Sequence, residues 1–343
     1  MSLCSEGFGV APNGSPLRRC HLRSRSGCEA EVLSWGATLA SLRVPAKDGH
    51  VVLGFDDPRA YLQDRSYFGA TVGRFANRIR GASFELDQHI YALSQNEGRQ
   101  HLHGGSGGFS RRNWAVIGGS EDRVCLRLMS AHGEEGYPGR VEATVCYRLL
   151  DPGALRIDFR ATVDRPTVLN LTHHSYFNLG DAGASSVLDH ELWLCADAYT
   201  PVDPEGVPVG EMAPVEGTPF DFRSPRRLGE HIEALDAERG GYDHNFVLGG
   251  GASPCPRPVA RLVEVRSGRT LTVHTTQPGL QLYTSNHLDG SGVGRGGVAY
   301  ARHCAVCLET QHFPDSPHHP SFPTTRVLPT QDYRHTTIYA LTW

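Results

Sequence analysis

Val141-Glu-Ala-Thr-Val-Cys-Tyr-Arg-Leu149 and Leu155-Arg-Ile-Asp-Phe-Arg-Ala-Thr-Val163 carry apolar residues at every second position, with Asp151-Pro-Gly153 between them. A period of two is the spacing of a strand that turns one face to a core, and Pro followed by Gly supplies a turn. The pair predicts an antiparallel hairpin. Similar signals recur on both sides of it. Phe84-Glu-Leu-Asp87 and Ile90-Tyr-Ala-Leu93 predict hairpin arms around Asp87-Gln88, and Leu262-Val-Glu-Val265 with Leu271-Thr-Val273 predicts another around Ser267-Gly268. Residues 31–44 are strand-compatible, with Gly36 marking a bulge or a close backbone approach. Helical periodicity is confined to residues 224–235. There Ser224 offers an N-cap, Pro225 the first helical position, and Leu228, Ile232 and Leu235 an apolar stripe, so one short surface helix is expected. No repeat, heptad or linker is visible, and residues 249–258 read as a loop between strands. Short strands punctuated by 39 glycines and 22 prolines predict an all-β fold, a large antiparallel β-sandwich with few short helices, while the length of 343 residues fits two domains or one oversized β domain.

The totals narrow the partner. With 33 Lys and Arg against 37 Asp and Glu, the formal charge of −4 lacks the clustered basic excess of a nucleic-acid footprint. No apolar run approaches membrane-spanning length, and the first residues have neither the basic start nor the apolar centre of a signal peptide. A soluble cytoplasmic monomer with a small neutral partner is expected. Nine cysteines are scattered without a pairing pattern, so reduced thiols are the default. The one CxxC, Cys304-Ala-Val-Cys307, lies in a short apolar run better read as a strand, where residues three apart face opposite sides, and this disfavours redox or metal use.

Polar residues concentrate in a few places. Val168-Leu-Asn-Leu-Thr-His-His-Ser-Tyr-Phe-Asn-Leu179 sets two histidines among apolar neighbours, and in an extended segment His173 and His174 point to opposite faces. Only one of them can address a given pocket. His101-Leu-His103 on one strand face has zinc-ligand spacing, but no HExxH or paired-cysteine geometry supplies further ligands. The glycines that follow, 104–108, would cradle phosphate only if they opened a helix, and Trp114-Ala-Val-Ile117 looks like a strand. Glu309 follows the apolar run 305–308, where an unpaired charge is costly unless it is a tuned base.

Taken together with Gly73-Arg-Phe-Ala-Asn-Arg-Ile79, Tyr242-Asp-His-Asn-Phe246 and Leu308-Glu-Thr-Gln311, these stretches resemble the aldose 1-epimerase (galactose mutarotase) family, in family order and over nearly the whole chain. The resemblance implies one domain spanning residues 1–343, a β-supersandwich with an open cleft. It also implies a chemical histidine directly before Ser-Tyr-Phe-Asn, which is His174, with Glu309 as the base. Asn77, Arg78, His103, Asp243 and Gln281 match sugar-contacting positions, whereas His101 does not. His173 stands where the family more often has Asn, and is expected to be an orienting or surface residue.

The implied reaction interconverts the α and β anomers of free hexoses such as galactose and glucose. The ring opens, the chain rotates about the bond to the anomeric carbon, and the ring closes on the other carbonyl face. One group takes the anomeric proton and another supplies the ring oxygen. Neither cofactor nor metal is required. Ordinary values of about 6.5 for imidazole and about 4.3 for carboxylate would already make His174 the acid and Glu309 the base. A hexose-phosphate epimerase on the same scaffold, with Arg111-Arg112 taking the phosphate, a non-catalytic sugar-binding protein and a zinc hydrolase remain as alternatives. Galactose against glucose stays open, because the two differ in the orientation of one hydroxyl.

Overall fold

The alternation of residues 141–163 is resolved by a computed structural model that describes residues 3–46, 49–235 and 240–343. Val141–Leu150 and Ala154–Val163 pair in unbroken register from Val141↔Val163 to Leu150↔Ala154. Val145, Tyr147, Leu155, Ile157 and Phe159 are buried, while Glu142 and Arg148 are exposed. The hairpin sits inside a nine-stranded antiparallel sheet. Ala115–Ser120 and Arg123–Ser130 extend it on one side; Tyr333–Thr342, Thr270–Thr275, Arg257–Val263, Glu191–Leu194 and Arg226–Arg227 follow on the other.

A second sheet has six strands, in the order Tyr176–Phe177, Val306–Gln311, Gly279–Tyr283, Asp243–Leu248, Ala196–Tyr199 and Ala213–Pro214. Phe246, Leu280, Leu282 and Leu308 from this sheet share one core with Val145, Ile157 and Phe159 from the first. The Phe177 and Tyr339 rings meet at 4.9 Å across it, and the Tyr339 hydroxyl donates to the Leu308 carbonyl at 3.2 Å. Each such side chain contributes about 1.5–3 kcal/mol by leaving water, so the core selects which face of every strand turns inward. In the second sheet this leaves Cys307, Glu309, Gln281, Tyr283 and Asp243 on the face away from the core.

Turn chemistry follows the sequence at the positions where it was legible. Asp87 (φ 52°) and Gln88 (φ 65°) are both left-handed, the type I′ geometry that joins Ser83–Leu86 to His89–Ala92. Gly36 (φ 66°) reverses the chain between Glu29–Leu33 and Thr38–Arg43, and a Cβ there would lie 2.6 Å from the Ser110 carbonyl oxygen.

Two expectations fail. No α-helix forms among the described residues; the longest helical turn is the five-residue 3₁₀ segment Pro58–Leu62. Residues 224–235 instead place Arg226–Arg227 against Glu191 and Leu192, bury Leu228, and end in a 3₁₀ turn at Ile232–Ala234. Gly229 runs so close to Leu188 that a Cβ would sit 3.0 Å from its Cβ, and its N–H donates to the Leu188 carbonyl at 2.8 Å. Pairing on a sheet edge thus satisfies backbone that a helix with a glycine in its middle, about 1 kcal/mol worse than alanine, would hold weakly. The second failure is the cysteines. Cys125 and Cys146 lie directly opposite each other on neighbouring strands and form a disulfide, while the other seven are free. Register pairing creates that proximity, and spacing along the chain does not reveal it.

Burial makes several histidines resist protonation. It holds His173 at about 3 and His174, His190 and His312 at about 4. An unfolded histidine binds its proton near 6.5, so between there and pH 4 the unfolded chain carries more protons and stability falls as pH falls. At pH 5 these four alone should make unfolding take up roughly three to four protons. The denaturation midpoint measured from pH 7 to 4 should drop accordingly, and a flat profile would show that these rings titrate normally.

Candidate active site

Glu309 and His174 are brought together by the pleat of the second sheet. Glu309 Oε1 lies 3.6 Å from His174 Nε2, both residues are buried, and Glu309 Oε2 has no hydrogen-bond partner in the protein. They line a cleft of about 160 Å³ together with Tyr67, Asn77, Arg78, Glu97, His103, Asp243 and Tyr283, with the exposed Arg65 and His287 at its rim. Such a volume is below the range of drug-sized pockets and suits a small polar ligand.

Arg78 organises one wall. Its Nε and Nη2 donate to the two Glu97 oxygens at 2.6 and 2.7 Å, and Nη1 lies 3.5 Å from Asp243 Oδ2. Burial works against this guanidinium, but Asp243 and Glu97 more than offset it and keep it charged. Gln281 stands behind that wall. Its amide donates to Asp243 Oδ1 at 2.7 Å, and Gln281 is not among the lining residues, so the structure has it holding Asp243 rather than facing the cleft.

The stretches at 73–79 and 101–105 interlock. Arg78 pairs with Leu102, the His103 N–H donates to the Asn77 carbonyl at 3.0 Å, and the Asn77 N–H donates to His103 Nδ1 at 3.1 Å. Gly104 (φ 83°) fits so closely that a Cβ would be 1.8 Å from the Gly73 carbonyl oxygen. Tyr67 (φ 59°), Asn77 (φ 65°) and His103 (φ 52°) are all left-handed without being glycine. Each such residue costs on the order of 1 kcal/mol or more, and their coincidence on one cleft is the pattern of a pre-set site.

His101 and His173 lie outside the cleft. His101 donates from Nδ1 to the Ser94 carbonyl at 2.7 Å and accepts from the Tyr137 hydroxyl at Nε2, also at 2.7 Å. It is a satisfied core residue. His173 turns to the opposite side from His174, as strand alternation requires, but it is buried between Tyr147 and Tyr339 and is not at the surface. The CxxC divides likewise. Cys304 lies before the strand, whereas Cys307 sits on it with its Sγ 3.6 Å from His174 Nδ1.

Burial reverses the ordinary order of the central pair. It pushes the Glu309 carboxyl well above the usual carboxylate range, with Asp243 adding to the rise and Arg78 opposing it. It pushes His174 down to about 4, partly offset by a backbone acceptor and by Asp243. The expectation built on unperturbed values is therefore wrong for the unliganded cleft. When the pair holds one proton, desolvation favours placing it on Glu309.

Ligand atoms of His103, His174 and Glu309 lie within 4.8 Å of one another, close enough to suggest a metal. The hydrogen bonds oppose it. A metal-bound imidazole gives its other N–H to an acceptor, whereas Nδ1 of His103 receives the Asn77 N–H, so the neutral ring carries its proton on Nε2. That nitrogen is a donor for an oxygen ligand. Exhaustive chelation should leave activity intact, and a loss restored by zinc would reverse this reading.

Tyr67 and Glu97 escaped the sequence reading, and Cys307 entered it only as half of a CxxC without a role at this site. Glu97 stands 19 positions from Arg78 with no periodic signal between them, and only the pairing of Arg78 with Leu102 brings the two together. Replacing Arg78 by alanine would take the guanidinium from half-buried Glu97 and from Asp243, leaving the Gln281 amide on Asp243. Removing one partner of a buried pair costs about 3–5 kcal/mol, and the partial exposure of Glu97 points to the lower end. Arg78→Ala should lower the thermal midpoint by several degrees as well as weaken sugar handling, while Arg78→Lys should restore much of the stability. An unchanged midpoint in Arg78→Ala would show that the ion pairs are dispensable.

The sequence and the fold recur in known proteins. The family model for aldose 1-epimerase matches residues 18–340. Galactose mutarotase of Bos taurus is 44% identical over 336 residues, 96% of either chain, and aldose 1-epimerase of Escherichia coli is 39% identical over 94% of this chain and 93% of its own. Among solved structures, a GalM/aldose epimerase homologue from C. elegans superposes with a TM-score of 0.88 at 32% identity, covering 94% of this chain and 98% of its own. Galactose 1-epimerase from Lactobacillus acidophilus gives 0.87 at 29% identity, covering 100% and 99%. With a buried carboxylate and imidazole at the centre of one cleft and a match across almost its whole length, the chain belongs to the aldose 1-epimerase family.

Proposed function

We propose that the cleft opens and recloses the pyranose ring of a free aldohexose, with Glu309 exchanging a proton with the anomeric hydroxyl and His174 with the ring oxygen. The activity is that of an aldose 1-epimerase, a carbohydrate isomerase. The observation that carries the residue assignment is the 3.6 Å separation of Glu309 Oε1 and His174 Nε2. The anomeric and ring oxygens share one carbon, so the groups that serve them must stand side by side, and these two do.

The proton count closes. The pair begins with one proton, which rests on Glu309 in the empty cleft. Its movement to His174 Nε2 makes a carboxylate beside an imidazolium. Glu309 then takes the proton of the anomeric hydroxyl, the bond from the anomeric carbon to the ring oxygen breaks, and His174 protonates that oxygen. After rotation, closure on the opposite carbonyl face returns both protons, and the pair again holds one. Asp243 and Arg78 on one wall and His103 on the other offer an acceptor and donors to the remaining hydroxyls. The unpartnered Glu309 Oε2 is a buried acceptor with room for a hydroxyl.

A phosphorylated substrate is less well served. Arg112 is paired with Glu134, and neither Arg111 nor Arg112 lines the cleft. No helix among the described residues is long and apolar enough to cross a membrane. Seven free cysteines favour the cytoplasm.

Glu309→Gln and His174→Asn should each slow equilibration of α-galactose or α-glucose by about 10²- to 10⁴-fold, measured by polarimetry after subtracting the uncatalysed rate. The pH profile carries its own sign. Activity needs the one-proton pair, so the acid limb marks addition of a second proton to His174, at about 4, and the alkaline limb marks loss of the proton that burial holds on Glu309. Residual activity of Glu309→Gln should therefore lack the alkaline limb. A Glu309→Gln protein that works at the wild-type rate would overturn the assignment.

A further inference from the structure

The proton movement just described requires one tautomer of His174. Nε2 can take the proton from Glu309 and pass it to the ring oxygen only if Nδ1 keeps a proton of its own throughout. Something must face Nδ1 and tolerate that proton in every step. The structure puts Cys307 there, with Sγ 3.6 Å from Nδ1.

This placement follows from the strand. Cys307 and Glu309 are two residues apart on Val306–Gln311, so their side chains leave the same face roughly 6.6 Å from each other along the chain. The imidazole of His174 spans that interval, with Nδ1 over Cys307 and Nε2 over Glu309. Tyr176 stacks on the ring at 5.0 Å with a tilt of 23°, and Tyr67 lies near-parallel at 6.0 Å with a tilt of 20°. The ring has little freedom to flip.

We propose that Cys307 is the positioning residue for His174, its sulfur receiving the Nδ1–H so that Nε2 is the nitrogen that exchanges protons with Glu309 and the sugar. The proposal rests on the assignment of His174 and Glu309 given above. Sulfur is a weak acceptor. A carboxylate in the same place would stabilise the imidazolium and make His174 reluctant to give its proton to the ring oxygen; the thiol orients the ring without doing so. No proton passes through the sulfur. Burial also keeps the Cys307 thiol protonated, since it lies well above its ordinary range. The other groups that face the ring are its own backbone acceptor, Glu309, Asp243, His103, Tyr67, Tyr176 and Tyr283. Asp243 acts on the ring in every variant alike.

The test has two arms. In the full-length wild-type chain, ¹⁵N chemical shifts of the His174 imidazole at neutral pH distinguish the two neutral tautomers without reference to activity. The Nδ1–H form is expected; the Nε2–H form would overturn the proposal. In parallel, Cys307→Ser and Cys307→Ala are followed by polarimetry across pH, with circular dichroism to establish folding. Serine supplies a stronger oxygen acceptor, so the acid limb of kcat/KM should move to higher pH. Alanine supplies none, so kcat should fall about tenfold or more with KM little changed, and serine should recover part of that loss. Folded variants whose pH profiles and kcat overlay the wild type would overturn the proposal. Failure of the parent reading looks different, because Glu309→Gln would then retain full activity whatever the His174 tautomer.

Discussion

Glu309 is a carboxylate in a strand that is buried from end to end, and the architecture around it is what makes that tolerable. An isolated charge at such a position would cost several kcal/mol. Burial favours the neutral carboxyl, which lowers that cost, and His174 stands beside it. The pleat then separates two chemistries on one strand. Leu308 joins the core while Cys307 and Glu309 face the other way. A slip of one residue in register would send Leu308 into the cleft and Glu309 into the core. The pairing of Gln281 with Glu309 and of Tyr283 with Cys307 on the neighbouring strand is what prevents it.

That constraint explains which parts could be read from the chain. The 141–163 hairpin was legible because alternation, turn residues and burial all agree there, and Asp87-Gln88 because a two-residue loop between alternating arms has few solutions. Residues 224–235 misled because local signals for a helix start are strong while the sheet edge that captures Arg226 and Arg227 lies more than 30 positions upstream, at Glu191 and Leu192. The Cys125–Cys146 bridge has the same character, since only strand register brings the two together.

The site was legible to a different depth. His174, Glu309, Asn77, Arg78, His103 and Asp243 do line one cleft, and their residue types were recoverable from motif resemblance. Their electrostatics were not. The sequence offers ordinary pKa values, and burial inverts them. Gln281 shows a related gap, because a residue type that suits a sugar hydroxyl suits a carboxylate equally well, and here Asp243 takes it. Tyr67, Glu97 and Cys307 matter through what they touch, and touching is a property of the fold.

Hydrogen bonds on the far side of each imidazole finally distinguish the chemistries that this cluster of groups could perform. His103, His174 and Glu309 are close enough for a metal, and distance alone would leave that reading standing. His103 receives a backbone N–H at Nδ1 and so presents a donor, fit for a hydroxyl and unfit for a cation. His174 has a thiol in the corresponding place, and the tilt of Tyr176 against it limits rotation. The two rings lie 5.3 Å apart at 75° yet have different partners behind them, as the proposed division of roles between holding a sugar and moving a proton requires. Left-handed backbone at Tyr67, Asn77 and His103 keeps that arrangement in place before any ligand arrives. Its conformational strain is met by the folded chain, so the bound sugar does not have to supply it.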